Sequence, residues 1–427
     1  MASFSFDAGN AGKLLRIPLY LLGRAATLAI GRTRDASRPL WVFGSAVGVA
    51  DGAEALLRVA LAHGEDVVWL TAGDRDAADA ARRGIRSAPK NSLRGFWWTA
   101  RAAVVVVTHG FGDVNRYAAT GGVIVQLWHG IPLKRIGLDA EVTSASPFPF
   151  APRLGSRLVR GLYRRTQSRI RLVPAASEVV RGRLESAFGL PTERVPVVGE
   201  PRTDVLSAGS ATQRRVRARA ALTDLLEGIG PDTSLVLYAP TWRDGAPDPA
   251  APSDVERAAI EDLLAETDAV LLLRSHHLGG GDAVPTSARV RALGADVVAD
   301  VTPLLPGLDV LVTDYSSLAF DAGLVPLPTL FLAPDLAAYA RSRGFYGTYA
   351  DVAGDDPASD WTALHAQLRE VLTDERVRGA RVERSRLLGE RMHVHHDGRN
   401  AERVYRAVRR MLGDARDTPS PMRQETR

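Results

Sequence analysis

The chain has 427 residues, 45% apolar and 24% charged, a soluble-globular composition at a length that predicts two domains. The absence of cysteine excludes a disulfide scaffold, a thiolate nucleophile and any Cys-ligated zinc or iron–sulfur site. No run approaches the roughly 20 uncharged apolar residues of a spanning helix. The 54 Lys and Arg against 49 Asp and Glu leave only +5, almost all of the positive charge on Arg, so no nucleic-acid partner is expected.

Residues 1–37 read as a basic amphipathic N-terminal segment. Lys13, Arg16, Arg24, Arg32 and Arg34 stand against Asp7 and Asp35, around the apolar run Leu14 to Ile30. Arg16, Pro18 and Arg24 interrupt that run and no small-residue cleavage site follows it, which argues against both a spanning helix and a removable signal peptide.

From 38 to 209 short apolar runs alternate with amphipathic stretches. Leu40 to Phe43, Val67 to Leu70, Ala103 to Val107 and Val123 to Trp128 read as buried parallel strands, with helical patterns such as Gly52 to Ala62 and Ser92 to Arg101 between them. Between Pro147 and Ser177 there is no acidic residue, and Arg153, Arg157, Arg160, Arg164 and Arg171 recur at spacings of 4, 3, 4 and 7. That period predicts a basic amphipathic helix near 153–171, with Leu154, Leu158, Leu162 and Tyr163 toward its other side and Phe148 and Phe150 beside it. Such a helix suits an anionic membrane surface, the alternative being an ordinary solvated Arg face.

A change of character around Pro201, Gly209 and an Arg-rich helical piece places a boundary near residue 210. In the second half, Leu235 to Ala239, Ala269 to Leu273, Val297 to Ala299, Val310 to Thr313 and Thr329 to Leu332 repeat the strand pattern, and Leu364 to Leu412 is helical. Residues 413–427 read as a disordered tail. The predicted fold class is therefore α/β, two Rossmann-like doubly wound domains facing a central cleft, with C-terminal helices.

Doubly wound sheets bind ligands where strands end at their carboxyl side, which selects His109, His129, Thr241 to Arg243, Arg274 to His277 and Thr313 to Ser317. His129 leaves a strand just before Gly130 and Pro132, with Lys134 following, and an imidazole there is suited to taking a proton from a hydroxyl. Ser316 and Ser317 open a helical stretch whose N–H groups favour an anion, although a plain helix cap explains them equally. Arg274 and His276 reach the same crevice and could clamp a diphosphate. Neither a G-x-x-x-x-G-K-[ST] nor a G-x-G-x-x-G pattern is present. His393, His395, His396 and Asp397 lack the i,i+4 geometry of a helical zinc site, and Asp397 reads as an N-cap, so no metal site is expected there. The sequence calls for no bound cofactor and does not decide divalent-metal dependence.

Seven segments occur together and in order: QLWHGIPLKRIG from Gln126, GEPRTDVL from Gly199, YAPTWRD from Tyr238, the R-x-H of Arg274 and His276, DVLVTDYSSLAFD from Asp309, GFY from Gly344 and HDGRNAER from His396. Over about residues 38–412 the chain thereby resembles the CDP-glycerol glycerophosphotransferases, the primases and polymerases of teichoic acid and related cell-wall and capsule polymers. The resemblance implies a GT-B architecture, with 38–209 as acceptor domain and 210–412 as CDP-donor domain, peripheral on the cytoplasmic face of the membrane. It implies transfer of glycerol phosphate from CDP-glycerol to a hydroxyl of a lipid-linked acceptor with release of CMP, a phosphotransferase reaction of the substituted-phosphate class.

By the same resemblance, His129 would be the base, and His276, Ser316 and Ser317, supported by Arg274, would hold the donor diphosphate. Asp321 would point to the donor's hydroxyls, and Thr241 and Arg243 would line the donor site. Asp314 reads as a structural strand-end carboxylate. The chain departs from the family pattern at His277, where Pro is usual, and at Glu200, where an aromatic is common. The alternatives are a CDP-ribitol transferase, a GT-B nucleotide-sugar glycosyltransferase, disfavoured by the lack of an E-x7-E pattern, and a non-catalytic membrane scaffold.

Overall fold

The computed structural model describes residues 17–35, 37–144, 152–241, 252–274 and 287–413. Arg243, Ser275, His276, His277, Phe148, Phe150, the start of the N-terminal segment and the tail beyond 413 lie outside the described residues.

The first sheet is built from β1 (Leu40–Phe43), β2 (Asp66–Thr71), β3 (Ser87–Pro89), β4 (Val104–Val107), β5 (Val123–Gln126) and β6 (Ile170–Leu172). All six are parallel, in the order β3-β2-β1-β4-β5-β6. Alternate residues face opposite ways. Val42, Val68, Val105 and Val107 fill one buried cluster, while Trp41, Phe43, Trp69, Val104 and Val106 fill another. Burial on both faces is why these strands read as unbroken apolar runs.

The second sheet repeats the plan with β7 (Ser234–Ala239), β8 (Ala269–Leu273), β9 (Val290–Ala292), β10 (Val310–Thr313) and β11 (Thr329–Phe331), parallel in the order β11-β10-β7-β8-β9. In each sheet the order reverses beside the first strand, between β1 and β4 and between β7 and β10. Those two switch points are where ligand crevices open.

Three expectations need correction. Val297 to Ala299 is not a strand: the segment forms a turn with Val297 exposed, and β9 lies earlier, at Val290–Ala292. The basic helix runs Pro152–Gln167 and stops before Arg171, which sits exposed on β6. Leu154, Leu158 and Leu162 are not set on a face opposite the arginines; they are 70%, 54% and 44% exposed, and Gly155 and Val159 make the buried face. At about 100° per residue, those leucines fall on the arc beside Arg157, Arg164 and Arg165, so leucines and arginines share the solvent side. The helix Ile17–Gly31 likewise exposes Leu19, Leu21, Leu22 and Leu28. Among the described residues no helix is long and apolar enough to cross a membrane.

Two features lock the halves together. The helix Asn400–Met411, which chain order groups with the second domain, packs on the first: Val404, Tyr405, Ala407 and Val408 share a core with Trp41, Phe43 and Leu56. Its first N–H groups, on Asn400 and Ala401, donate to the Asp204 carboxylate at 2.7 and 2.8 Å, so the cap comes from the inter-domain segment rather than from Asp397. Gly199 faces Asn400 so closely that a Cβ there would lie 2.0 Å from its amide oxygen. On the other side, Arg135 N donates to Gly344 O and Tyr346 N to Leu133 O, pairing the segment after His129 with the G-F-Y loop.

Candidate functional site

One wall of the crevice comes from the loops after β4 and β5. Asp113 turns its carboxylate back on the chain and accepts from the N–H of Thr108, His109 and Gly110 at 2.9, 2.7 and 3.2 Å, which fixes the turn leaving β4. The Thr108 carbonyl then faces His129, 3.3 Å from Nδ1. A carbonyl only accepts, so Nδ1 carries the hydrogen and Nε2 keeps its lone pair. The His129 ring packs against two others: His109, parallel within 4° at 4.3 Å, and Trp128 at 4.1 Å. Trp128 holds φ +61°, the left-handed region that costs a bulky residue about 1–2 kcal/mol, and this turn presents the following imidazole. Burial, with His109, Arg202 and Lys134 nearby, holds His129 well below the usual imidazole range. It is therefore neutral, as a base must be.

The opposite wall comes from the loops after β7 and β10. Asp314 accepts from Thr241 N at 2.7 Å and from Tyr315 N, tying the two strand ends together as the structural carboxylate expected from the sequence. Ser316 Oγ accepts from Leu318 N, so Ser316 caps the helix Leu318–Ala322, while Ser317 makes no side-chain cap bond. That helix has five residues, so its dipole is small, and the N–H groups of Leu318, Ala319 and Phe320 are turned onto Ser316 and Ser317, which leaves the serine hydroxyls as the polar groups of this turn. The two walls meet at Gly130, where φ is +127° and a Cβ would lie 2.6 Å from Ser317 Oγ. Only glycine lets the W-H-G turn approach the serine pair this closely.

Beneath this meeting point lies a buried charge cluster. Arg202, on the segment between the domains, reaches Asp51 of the first domain at 2.9 Å and Asp321 and Thr302 of the second at 2.6 and 3.1 Å. Asp321 is 0% exposed, with both oxygens on the Arg202 Nη1. It thus faces Arg202, and burial raises its pKa against the pull of that guanidinium. Glu200 lies in the same cluster, its carboxyl pushed up to about 8 by burial, with Oε2 unbonded. Arg202 stays charged and Glu200 neutral, and the single cation is shared by Asp51 and Asp321 across the domain junction. Sequence reading missed Arg202 and Asp51 as site residues, and the only local signal was the P-R-T-D stretch itself.

Arg274 is the predicted residue that the fold uses otherwise. Its guanidinium donates to the carbonyls of Leu293, Val298 and Ala299, bracing the loop beside β9. His393 is buried with Nε2 on Phe320 O, and Asp397 pairs with Arg403. Among the described residues no group of His, Asp and Glu could hold a metal ion.

Comparison with known proteins places this geometry. The sequence model of CDP-Glycerol:Poly(glycerophosphate) glycerophosphotransferases matches residues 30–410. A teichoic acid poly(glycerol phosphate) polymerase of Staphylococcus epidermidis is 29% identical over 260 residues, 59% of this chain and 34% of that protein. A teichoic acid glycerol-phosphate transferase of Staphylococcus aureus is 28% identical over 274 residues, 60% of this chain and 64% of that protein. The chain thus spans about a third to two thirds of these curated relatives. The solved wall teichoic acid polymerase TagF superposes with a TM-score of 0.72 at 20% identity, covering 96% of this chain and 99% of that chain. That likeness shows the fold, two doubly wound domains of GT-B-like architecture. With the ordered motifs lining one junction and the family match spanning both domains, the chain belongs to the CDP-glycerol:poly(glycerophosphate) glycerophosphotransferase family.

Proposed function

We propose that the protein transfers glycerol phosphate from CDP-glycerol to a hydroxyl of a lipid-linked acceptor and releases CMP, in teichoic acid or related polymer synthesis. The observation that carries this reading is the neutral His129, with its Nε2 lone pair available, set beside the Gly130–Ser317 contact. Nε2 takes the proton of the attacking hydroxyl as it reaches the β-phosphorus. The negative charge growing toward CMP meets the Ser316 and Ser317 hydroxyls, with His276 and Arg243 as further donors. Arg274 supports this wall by holding its loop. A TagF variant soaked with CDPG, similar to this chain at a TM-score of 0.71, supports the choice of donor.

Ribitol phosphate is the second reading, because the ribitol-phosphate polymerase TarK of Staphylococcus aureus is 30% identical over 231 residues. The deciding experiment is CMP release by the purified protein from CDP-glycerol and CDP-ribitol with a lipid-linked acceptor. Faster release from CDP-glycerol supports the first reading, and faster release from CDP-ribitol replaces it.

The acceptor end calls for a membrane, and the solvent arc of Pro152–Gln167 fits one on its cytoplasmic face. Arg153, Arg157 and Arg164 supply charge for anionic headgroups, and Leu154, Leu158 and Leu162 supply apolar area. Arg160 contributes less, since it donates to Leu138 O. Flotation with anionic but not zwitterionic vesicles, lost in the Arg153→Glu, Arg157→Glu and Arg164→Glu triple variant, is the expected result.

A further inference from the structure

The imidazole pair after β4 and β5 contains one ring that the transfer reaction does not consume. His109 stacks on His129 with centroids 4.3 Å apart and planes within 4°. Its own position is fixed twice: the backbone N–H donates to Asp113, and Nδ1 lies 2.8 Å from Thr108 Oγ1, which donates in turn to Ser45 Oγ. The same Thr108 offers its carbonyl to His129 Nδ1, so one residue anchors both rings. Trp128 also packs against His129, ring centroids 4.1 Å apart.

We propose that His109 is a positioning residue for His129: the stacked ring and the Thr108 carbonyl hold His129 in the plane and tautomer that leave Nε2 free. This rests on the function proposed above for the meaning of the base, not for the geometry. A phenyl ring could stack in the same place, but only an imidazole also bonds to Thr108 Oγ1 and can itself accept a proton.

The charges around the pair differ from one ring to the other. Burial holds His109 below the usual imidazole range while Asp113 and Asp51 pull it back toward its cation, whereas burial holds His129 well below that range and Arg202 and Lys134 add to the push. On acidification the first proton therefore goes to His109. A cation stacked at 4.3 Å then keeps the next proton off His129, so the base stays neutral into more acidic solution.

The test needs no substrate. Nitrogen-15 histidine spectra of the wild type, His109→Phe and His109→Ala, with the His129 signals assigned by their loss in His129→Ala, report tautomer and protonation directly. The wild type should show His129 with its proton on Nδ1 at neutral pH. His109→Phe should keep that tautomer but protonate His129 about one pH unit higher, because the neighbouring cation is gone. His109→Ala should mix tautomers as well. In turnover, His109→Ala should lower kcat about 10-fold with the donor KM little changed, and His109→Phe should recover much of that loss at pH 8 while its acid limb moves up in pH. His129 signals identical in all three proteins would overturn the proposal. The expected spectra with no turnover from any donor in the wild type would leave the positioning intact and defeat the proposed function instead.

Discussion

Glu200→Gln should stabilise the protein as the solution becomes more alkaline. The Glu200 carboxyl is 2% exposed and is pushed up from 4.5 to about 8 by burial, with Asp51 and Asp321 adding to the push and Arg202 opposing it. In the unfolded chain it ionises near its ordinary value, so between pH 4.5 and about 8 the unfolded state loses a proton that the folded state keeps. Stability from this group is therefore complete below the unfolded pKa and drains away as pH rises toward the folded one. Glutamine resembles the neutral carboxyl and cannot ionise, so it removes the drain. At about 1.4 kcal/mol per pH unit, the gain of Glu200→Gln over wild type should grow by about 3 kcal/mol between pH 5 and 7.5. Comparing the two pH values cancels the constant cost of the amide, whose second NH₂ hydrogen has no acceptor where Oε2 stands unbonded. Urea unfolding of both proteins at the two pH values measures the difference. A gain that stays constant within about 0.5 kcal/mol would refute the reasoning, because it would mean that Glu200 ionises in the fold as easily as outside it.

Two further perturbations test the junction. Arg202→Met leaves Asp51 and Asp321 without their buried cation and should cost about 3–5 kcal/mol by the same unfolding assay, with part of the loss restored when Asp321→Asn is added. Gly130→Ala introduces a Cβ 2.6 Å from Ser317 Oγ on a backbone of φ +127°, which pushes the His129 turn off the serine wall. Turnover read by CMP release should fall about 100-fold, and a rate within a few-fold of wild type would count against the close approach of the two walls.

The strands were legible because parallel strands buried on both faces leave apolar runs such as Val104 to Val107, where every residue points into one core or the other. The short strands Ser87–Pro89, Ile170–Leu172 and Val290–Ala292 carry polar, charged or Pro residues and leave no such run, and the fourth strand pattern was read too far along the chain, at Val297 instead of Val290. The place of His129 at the crevice was legible for a local reason, a strand end followed by Gly and Pro. Arg202 was not, since its partners lie 151 and 119 residues away and a long-range ion pair leaves no periodicity in either segment. Asp321 shows the same limit: the family resemblance implied a contact with the donor's hydroxyls, whereas in the fold its distant partner Arg202 takes both oxygens. The leucines of Pro152–Gln167 were read as facing away from the arginines, whereas both lie toward solvent, because helical spacing alone does not say which arc meets protein and which meets solvent.

The central claim, that His129 is the base of a glycerol phosphate transfer at this junction, is tested most directly by separating binding from chemistry in His129→Ala. Titration calorimetry with CDP-glycerol should give a dissociation constant close to that of the wild type, since the serine wall is untouched. Single-turnover CMP formation with a lipid-linked acceptor should fall about 10²–10⁴-fold. Single-turnover rates within a few-fold of wild type, with donor binding intact, would contradict the claim and place the proton elsewhere.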